Sequence, residues 1–558
     1  AEDFGPTISW NRDYLSGREA PLDFGPTLDY RDPEKCGDIK YAWELNRHHH
    51  LVELAKAWYL TGDDAYAHEV THQVDSWIDS SPYLYGINWA SSLESAIRVI
   101  NWCFCLSLLE SGIGTVVKRE FVKKWMASIH EHLMFISRNF SGYSSANNHL
   151  IGEASGLFVG AVSCRFAESR KWIRKSRQIL EREVSRQNWP DGVNKEQALA
   201  YQAFVFDFLL LAGQLGGRNS VHFSKEYWSR LEKMAEFIHA MIDEDGEVPR
   251  IGDDDDGYVV RLSHRPDFRQ FRSLLATSAI LFGRRDFEAK SFGIDEKTFW
   301  LLGLTKTATP ETAQETGDGT TSFPHGGYTI LSGGGARLVF DSGPLGYLSL
   351  AAHGHADALS IVLNYDGRPF LVDPGTYAYH TRREWRDYFR GTSAHNTLVL
   401  DGEDQSLIGG NFMWSRKARC TLLDLGDRSV RASHDGYTRL RRPAIHERAV
   451  SFLSERNAFE MKDTIKGAGD HRVEQFFHFS PECACREENG AYVIENRGVR
   501  IRLVPDRQVS TRGVHTGETD PIRGWYSPGF DRKSPSPTLC CTLDIDGGAE
   551  LITMIYLL

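Results

Sequence analysis

The sequence of 558 residues lacks several features that mark specialised classes of protein. No uninterrupted apolar run reaches the ~18 residues of a membrane-spanning helix, so no membrane partner is expected. Basic residues are outnumbered: 64 Lys and Arg stand against 75 Asp and Glu, for a net charge of −11. Because nonspecific nucleic-acid binding depends on contacts between cations and phosphates, this balance argues against a nucleic-acid partner. An acidic ligand of another class is not excluded, because a basic cleft can lie in an acidic protein.

Cysteine occurs nine times, without the spacing of a zinc ribbon. The number is odd, and Cys103 and Cys105 lie in an apolar segment. These positions predict buried free thiols, which favours a reducing compartment such as the cytoplasm. The chain begins at Ala1 with neither an initiator Met nor a signal peptide, which leaves open whether a leader has been removed.

The first half of the chain carries apolar residues at helical spacing. Asp38 is predicted to cap a helix that ends at Thr61, and Asp63 to begin the next one. Further helices are predicted at 90–110, 115–138, 146–166, 168–187, 194–214, 223–243, 262–282 and 286–302. Because the connections are short, successive helices form antiparallel hairpins, and about five hairpins predict either an α/α toroid or a helical solenoid.

In the second half of the chain, apolar residues alternate with other residues, with a period of two. Between the halves, residues 305–321 are rich in Thr, Glu and Gly without periodicity, which predicts a linker. Short apolar runs then predict strands at Tyr328–Leu331, Arg337–Phe340, Ser360–Leu363, Phe370–Val372, Asn396–Leu400 and Ala449–Leu453. Many short strands predict a large antiparallel β-sandwich. The expected fold class is therefore α+β multidomain, with a helical domain over 1–304 and a sandwich domain over 322–558.

Three histidines and an aspartate are predicted to meet at one rim of this sandwich. His353 and His355 precede a predicted strand, and the hairpin that follows brings Asp373 back to the same end. His395 lies just before another strand. Two imidazoles and a carboxylate suit a divalent metal, with zinc favoured by ligand type. On an extended segment His353 and His355 point the same way, so both are candidates for one site; the alternative is that each histidine bonds to backbone.

A second set of polar residues lies in the helical half. Asn148 and His149 stand at the start of a predicted helix, where backbone N–H groups and the helix dipole favour an anion. Capping by Asn147 or Asn148 is the competing explanation. Tyr201 lies one turn past Gln197 on another predicted helix, and a core tyrosine is its alternative role.

Two further segments carry candidate ligand-binding residues. Asn88 and Trp89 precede a helix that carries Arg98, so Trp89 is a candidate for stacking on a sugar and Arg98 for pairing with a carboxylate. A structural pair between Glu94 and Arg98 is the alternative. The acidic run Asp253–Asp256 lacks the full spacing of an EF-hand and is interpreted as a solvated turn.

Taken together, these segments resemble the heparinase II/III-like polysaccharide lyases over most of the chain. The most specific parts are Asn147–Leu150 and His353–Asp357. The resemblance implies an N-terminal incomplete α/α toroid, an antiparallel β-sandwich after it, and a cleft between the two. It also implies a periplasmic or secreted location, which conflicts with the unpaired cysteines.

The resemblance implies roles for individual residues. Asn148 and His149 match residues that hold a uronate carboxylate, with His149 sharing in proton abstraction. Tyr201 matches the general acid, which is also the base in some members, and His353 matches a second catalytic histidine. Tyr388 lies where some alginate-cleaving members use another tyrosine. His355, Asp373 and His395 match the ligands of a structural zinc. The resemblance implies no organic cofactor.

The implied activity is β-elimination on 4-linked uronic-acid polysaccharides, which gives unsaturated uronate products. Glycosaminoglycans (heparan sulfate, hyaluronan or chondroitin) are the first expectation for this acidic polysaccharide or oligosaccharide partner, and alginate or a bacterial exopolysaccharide is the alternative. A glycoside hydrolase would need two positioned carboxylates. The candidates for such a pair are Glu153, Asp191, Glu196 and Asp207. A non-catalytic carbohydrate-binding protein is a third possibility, and the sequence leaves open a monomer or a homodimer.

Overall fold

A computed structural model of the chain describes residues 4–5, 7–291, 293–303 and 318–558. Most of the predicted linker, residues 305–317, lies outside these described residues. Its last residues, 319–321, belong to a strand rather than to a linker. Within the described residues the α-helices are α1 Pro33–Cys36, α2 Ile39–Asn46, α3 His49–Thr61, α4 Asp64–Ser80, α5 Ser92–Leu108, α6 Arg119–Arg138, α7 Asn148–Ser163, α8 Ser169–Arg186, α9 Leu199–Arg218, α10 Lys225–Met241, α11 Gln270–Phe282, α12 Arg285–Ser291, α13 Glu296–Leu302 and α14 Arg383–Arg390.

Side-chain caps begin seven of the described α-helices. The carboxylate of Asp38 accepts from the backbone N–H of Lys40 and that of Asp63 from Ala65, so both predicted caps are confirmed. The single helix predicted from Asp38 is divided, because His48 adopts a left-handed φ of 61°. The helix predicted from 194 starts instead at Leu199, since Gln197 has a φ of 57°.

The helices form an inner and an outer layer. The inner helices α3, α5, α7, α9 and α11 contact one another in order, and α4, α6, α8 and α10 pack outside them. Close approach in the inner layer depends on small residues: a Cβ added at Gly156 of α7 would lie 2.5 Å from the Cβ of Ala96 on α5. The result is the predicted series of helical hairpins around one apolar core.

Helix α9 is long and apolar enough to cross a membrane by length and composition, and it is the one such helix within the described residues. In the structure 83% of its most apolar window is buried against other helices, as expected for the central helix of a folded core. Lys297 binds its one carboxylate, Asp207, at 2.7 Å inside the protein. Helix α9 is therefore a core element that also carries Tyr201.

The strands occupy the second half of the described chain. They are β1 Gly319–Phe323, β2 Tyr328–Gly333, β3 Ala336–Asp341, β4 Ile361–Tyr365, β5 Arg368–Leu371, β6 Leu398–Leu400, β7 Leu407–Gly410, β8 Met413–Arg416, β9 Cys420–Gly426, β10 Ser429–His434, β11 Ala444–Leu453, β12 Ala458–Gly467, β13 Asp470–His478, β14 Ala484–Glu488, β15 Ala491–Asn496, β16 Val499–Val504, β17 Thr511–His515, β18 Glu518–Thr519, β19 Ile522–Arg523, β20 Trp525–Gly529, β21 Arg532–Pro535, β22 Thr538–Asp546 and β23 Ala549–Leu557. The paired strands run antiparallel in all three larger sheets, whose orders are β1-β2-β3-β4-β5, β14-β15-β16-β23-β12-β11-β10-β9 and β17-β22-β13-β6.

The first sheet joins the two halves because its side chains alternate between two cores. Ile330 and Val362 pack with Phe237 and Met241 of α10. Neighbouring residues such as Leu331 point to the opposite face, into the core shared with the eight-stranded sheet. This arrangement places the segment before β4 beside the start of α9, which is where the candidate catalytic residues meet.

The free-thiol prediction is confirmed. All nine cysteines are unpaired; seven are buried, and Cys420 and Cys485 are partly exposed.

Candidate active site

Tyr201 and His353 meet at the junction of the two halves. Tyr201 lies in the first turn of α9 and His353 in the segment before β4, and their rings stack with centroids 3.7 Å apart at an angle of 18°. The hydroxyl of Tyr201 lies 3.3 Å from that of Tyr379. Burial raises the pKa of Tyr201 well above its ordinary value, and the charges of Asp255 and Asp253 add to this effect. Tyr201 is therefore a protonated phenol at neutral pH, able to donate a proton.

Asp253 is the central charge of this site, although its sequence context indicated a solvated turn. That interpretation is wrong, because the side chain is 0% exposed. Its carboxylate accepts two bonds from the Arg386 guanidinium, one of them 2.8 Å long from Nη2 to Oδ2. Burial alone would raise the pKa of Asp253, but Arg386 and two histidine hydrogen bonds hold it well below its ordinary value. Asp253 is thus an ionised acceptor.

Asp253 sets the proton position on both histidines. Nδ1 of His353 lies 3.0 Å from Oδ2, and Nε2 of His355 lies 3.1 Å from Oδ1. Since an ionised carboxylate only accepts hydrogen bonds, the proton of each ring resides on the nitrogen facing Asp253. Nε2 of His353 is left without a hydrogen bond within the described residues; its nearest carboxylate oxygen, on Glu196, is 3.7 Å away.

His355, Asp373 and His395 form a buried group that can hold a metal ion. One potential ligand atom from each lies within 4.8 Å of the others. Nδ1 of His355 and Nε2 of His395 are buried without a hydrogen-bond partner in the described part of the chain. Buried imidazole nitrogens without partners are costly unless a ligand completes them, so these residues fit a divalent ion. The predicted convergence at the strand ends is confirmed, but His353 belongs with Tyr201 instead.

Asn148 and His149 lie where α7 begins, next to this cluster. Asn147 caps the helix by accepting from the backbone N–H of His149 at 3.3 Å. The backbone N–H and the side-chain amide of Asn148 both donate to Glu196, at 3.0 and 2.9 Å. The carboxylate of Glu196 therefore occupies the helix terminus at which a substrate anion was expected. One of the two amide hydrogens of Asn148 is not used in these bonds. Burial lowers the pKa of His149 to about 4, with the nearby His353 acting in the same direction.

The three other candidates from the helical half lie elsewhere. Trp89 is 0% exposed and its indole donates to the carbonyl of Ser81, so its faces cannot stack on a sugar. Asn88 also bonds to Ser81, at 3.1 Å. Arg98 is buried and bonds to the carbonyl of Asn46 and to a ring nitrogen of His132. These residues pack the helical core, which corrects their predicted role in substrate binding.

The expected pair of Glu94 with Arg98 is also wrong. Glu94 instead receives two hydrogen bonds from Arg47, at 2.8 and 2.9 Å.

Tyr379 takes the place that was expected for Tyr388. Tyr388 lies on α14 in an apolar cluster with Tyr377 and Phe389, away from Tyr201. Arg386, on the same helix, reaches Asp253 and stacks over the ring of Tyr379 at 5.0 Å. The helical pattern of 383–390 could have shown that Arg386 and Tyr388 point in different directions, but nothing in the sequence separated Tyr379 from its neighbours.

The carboxylates available for a hydrolase are occupied. Glu153 accepts from the backbone and hydroxyl of Ser141, and Asp191 accepts from two backbone N–H groups. Asp207 is paired with Lys297. Glu196 holds Asn148, so these four carboxylates do not form the facing pair that hydrolysis requires.

Two family models match the chain. The model described as heparinase II/III N-terminus matches residues 8–277, and that described as heparinase II/III-like, C-terminal matches residues 315–552. A heparin-sulfate lyase of Bacteroides thetaiotaomicron is 24% identical, over 90% of this chain and 70% of its own length. A heparin-sulfate lyase of Pedobacter heparinus is 24% identical over 78% of this chain, which spans 62% of that relative.

Solved structures of lyases have a similar fold. A crystal structure of heparinase III has a TM-score of 0.77 at 18% identity, covering 100% of this chain and 80% of its own. A chondroitin AC lyase variant of Streptomyces coelicolor has a TM-score of 0.58 at 14% identity, covering 96% and 76%. These similarities confirm the predicted fold of an α/α toroid followed by a β-sandwich.

Proposed function

We propose that this chain, which belongs to the heparinase II/III family, is a polysaccharide lyase that cleaves glycosaminoglycans by β-elimination. The observation that carries the proposal is the stack of protonated Tyr201 on His353, with Asp253 bound behind the histidine. Heparan sulfate is the first candidate substrate, because the curated relatives are heparin-sulfate lyases. Hyaluronan and chondroitin come next, and alginate or an exopolysaccharide after them.

The residues can be assigned to the steps of the elimination. The C5–H bond of the uronate breaks as C4=C5 forms and the C4–O4 bond breaks. His353 accepts the C5 proton on Nε2, whose lone pair is free because Asp253 holds the proton on Nδ1. Tyr201 donates its phenolic proton to the leaving O4.

The negative charge that develops at the uronate carboxylate must be stabilised for C5–H to become acidic. We assign this role to the remaining amide hydrogen of Asn148, which Glu196 orients, and to His149. Because burial lowers the pKa of His149 to about 4, its ring is neutral at pH 7, and its N–H can donate a hydrogen bond to the carboxylate.

We infer that the metal-binding group takes zinc in a structural role. His355, Asp373 and His395 would hold the ion. When bound, it supplies a positive charge that ties together three strand ends, including the segment that carries His353. The proton transfers assigned above use only side chains of the protein. We also propose that 1–304 and 322–558 act as two domains that share one cleft.

The function is tested with a panel of uronate polysaccharides. Purified protein is mixed with heparan sulfate, hyaluronan, chondroitin sulfate and alginate, and the ultraviolet absorbance of the unsaturated uronate is followed beside a reducing-end assay. A lyase produces both signals in equal amounts. New reducing ends without absorbance would identify a hydrolase, and neither signal on any substrate would contradict the proposal.

A further inference from the structure

A cavity lies in the β half, outside the cluster of Tyr201, His353 and Asp253. It has a volume of about 750 Å³ and lies between the segments 324–327, 342–346 and 416–422. Specific small-molecule sites in proteins occupy roughly 300–1,000 Å³, so this cavity has room for a sugar unit. None of the catalytic or metal-binding residues proposed above lines it.

The charges that line this cavity are mostly positive, in a chain whose net charge is −11. Arg416, Lys417 and Arg419 face a single carboxylate, that of Asp435. Arg416 and Arg419 are exposed, and neither guanidinium has an ion-pair partner within the described residues. Asp435 is partly satisfied, because it accepts from the backbone N–H of Arg419 at 2.8 Å. The two guanidinium groups are therefore available to an anion.

A buried acceptor in the wall provides an independent observation. Gln405 lines the cavity and is 1% exposed. Its amide nitrogen donates to the carbonyl of Ala358 and to Thr397, which fixes the orientation of the amide. The oxygen Oε1 is buried without a hydrogen-bond partner in the described chain. A buried carbonyl oxygen is unfavourable until a donor reaches it, and a hydroxyl group is a suitable donor.

The cavity adjoins the catalytic cluster through shared structural elements. Leu345 lines the cavity, and its carbonyl oxygen would lie 1.5 Å from a Cβ added at Gly354, the residue between His353 and His355. The hairpin of β7 and β8 separates the two sites. Its Phe412 contacts His353 at 5.8 Å between ring centroids, and its Arg416 lines the cavity.

We propose that this cavity is a subsite for an anionic sugar unit of the polysaccharide, one that carries sulfate or carboxylate together with free hydroxyl groups. Arg416 and Arg419 bind the anionic group, and Gln405 accepts a hydrogen bond from a hydroxyl. This inference rests on the proposed lyase function, since it places a second part of the same polymer. Its role is to raise affinity for chains long enough to reach both sites.

The test uses the double variant Arg416→Ala/Arg419→Ala. Lys417 is left unchanged, because its ammonium donates to the carbonyl of Leu348 at 2.6 Å and supports the loop beside the cavity. The matched control is Arg500→Ala/Arg502→Ala, which removes two exposed arginines from β16, a strand that does not line the cavity. Calorimetry measures the Kd of a sulfated heparan decasaccharide with each double variant, in a Tyr201→Phe background that stops turnover.

Each exposed charge-assisted contact lowers the Kd a few-fold, so loss of both in the double variant is expected to raise the Kd about tenfold. The loss should shrink as salt rises, because exposed charges are screened. With Tyr201 intact, KM for heparan sulfate should rise by a similar factor while kcat stays within about twofold. The control should change neither Kd nor KM.

An unchanged decasaccharide Kd in the double variant, or an equal loss in the control, would overturn the subsite. Failure of the lyase proposal looks different, because the wild-type protein would then give no unsaturated product from any polymer. The calorimetric comparison needs no turnover, so it decides the subsite in either case. Arg416→Glu/Arg419→Glu should weaken binding further still, and binding as tight as wild type in this variant would also contradict the proposal.

Discussion

Two buried clusters in this chain contain the same set of four side chains, an aspartate, an arginine and two histidines. The cleft cluster consists of Asp253, Arg386, His353 and His355. The sandwich cluster consists of Asp463, Arg448, His446 and His434. In both clusters the arginine forms a bidentate salt bridge with the aspartate, and a histidine forms a hydrogen bond with the same carboxylate.

The clusters differ in whether the ring nitrogens are occupied. In the sandwich cluster, His446 bonds to Asp463 through Nε2 at 2.6 Å and to His434 through Nδ1 at 3.2 Å. The other nitrogen of His434 accepts from the backbone N–H of Gly436. In the cleft cluster, Nε2 of His353 and Nδ1 of His355 have no hydrogen bond within the described residues. Burial and charge are therefore shared by both clusters, and the free lone pairs distinguish the candidate site.

The strongest test of this difference removes the proposed acid or base of the cleft. Tyr201→Phe and His353→Ala are each expected to lower kcat about 10³-fold, because general acid–base groups typically contribute 10²- to 10⁴-fold. Formation of the unsaturated product measures the loss, and circular dichroism checks the fold. Tyr227→Phe is the matched control, since its buried hydroxyl donates to the carbonyl of Leu209 in the helical core. Full activity in both cleft variants would remove these residues from the mechanism.

Replacing the central aspartate of each cluster by asparagine should also separate the two clusters. Asp253→Asn and Asp463→Asn should each lower the free energy of unfolding by about 3 kcal/mol, because each leaves a buried arginine without its counter-ion. Only Asp253→Asn should also lower kcat per folded molecule, by about 10²-fold with little change in KM, since an amide no longer fixes the proton of His353 on Nδ1. Denaturant titration and single-substrate kinetics separate these effects. An equal loss of kcat in Asp463→Asn would show that the comparison is false.

Metal removal should lower the free energy of unfolding through the metal-binding group beside the cleft cluster, and not through the sandwich cluster. Chelation is expected to lower the free energy of unfolding by about 2.7 kcal/mol if the ion is present at 100 times its Kd. The metal content by mass spectrometry should fall with it. His395→Ala should abolish both the bound metal and the response to chelator, whereas His434→Gln should retain both. A wild-type protein without bound metal and with no response to chelator would exclude the proposed site.

The smallest expected effect is a dependence of the free energy of unfolding on pH, through His434 of the sandwich cluster. Burial lowers the pKa of His434 well below its ordinary value, and the charges on His446 and Arg448 add to this. The unfolded chain takes up a proton at His434 near pH 6.5 whereas the folded protein does not, so stability is lost as pH falls below about 6.5. One such proton changes the free energy of unfolding by about 1.4 kcal/mol per pH unit.

Comparison of wild type with His434→Gln by urea denaturation between pH 7 and 5 isolates this contribution. The variant should show the shallower dependence on pH. Parallel curves for the two proteins would mean that His434 is not kept neutral by the folded sandwich.

Period and capping chemistry predicted the architecture because these are local properties. The caps Asp38 and Asp63 and the alternation through β2 and β3 were readable from a few neighbouring residues. The errors occurred where one residue adopts a left-handed φ that composition does not reveal, as at His48 and Gln197. The long helices of the first half were therefore predictable, but their exact boundaries and the short helix α14 were not.

The candidate site was predictable to the extent that its residues lie in distinctive short segments. The family resemblance of such segments named Asn148, Tyr201 and His353 as candidates, and strand spacing indicated the three residues that can hold a metal. Asp253 was missed because a run of four acidic residues usually faces solvent. Trp89 was proposed to stack on a sugar and Arg98 to pair with a carboxylate, although the structure buries both in the helical core.

The sequence by itself determined the two kinds of secondary structure, their order along the chain and the residue types of a lyase-like site. Only the tertiary structure decided which of those residues meet. Arg386 reaches Asp253 across 133 positions of sequence, and Asp253 joins His353 to His355 across about 100, so packing alone brings them together. The physical reason is that periodicity and capping act between near neighbours, whereas the free nitrogen of His353 and that of His355 result from contacts that the folded halves make with each other.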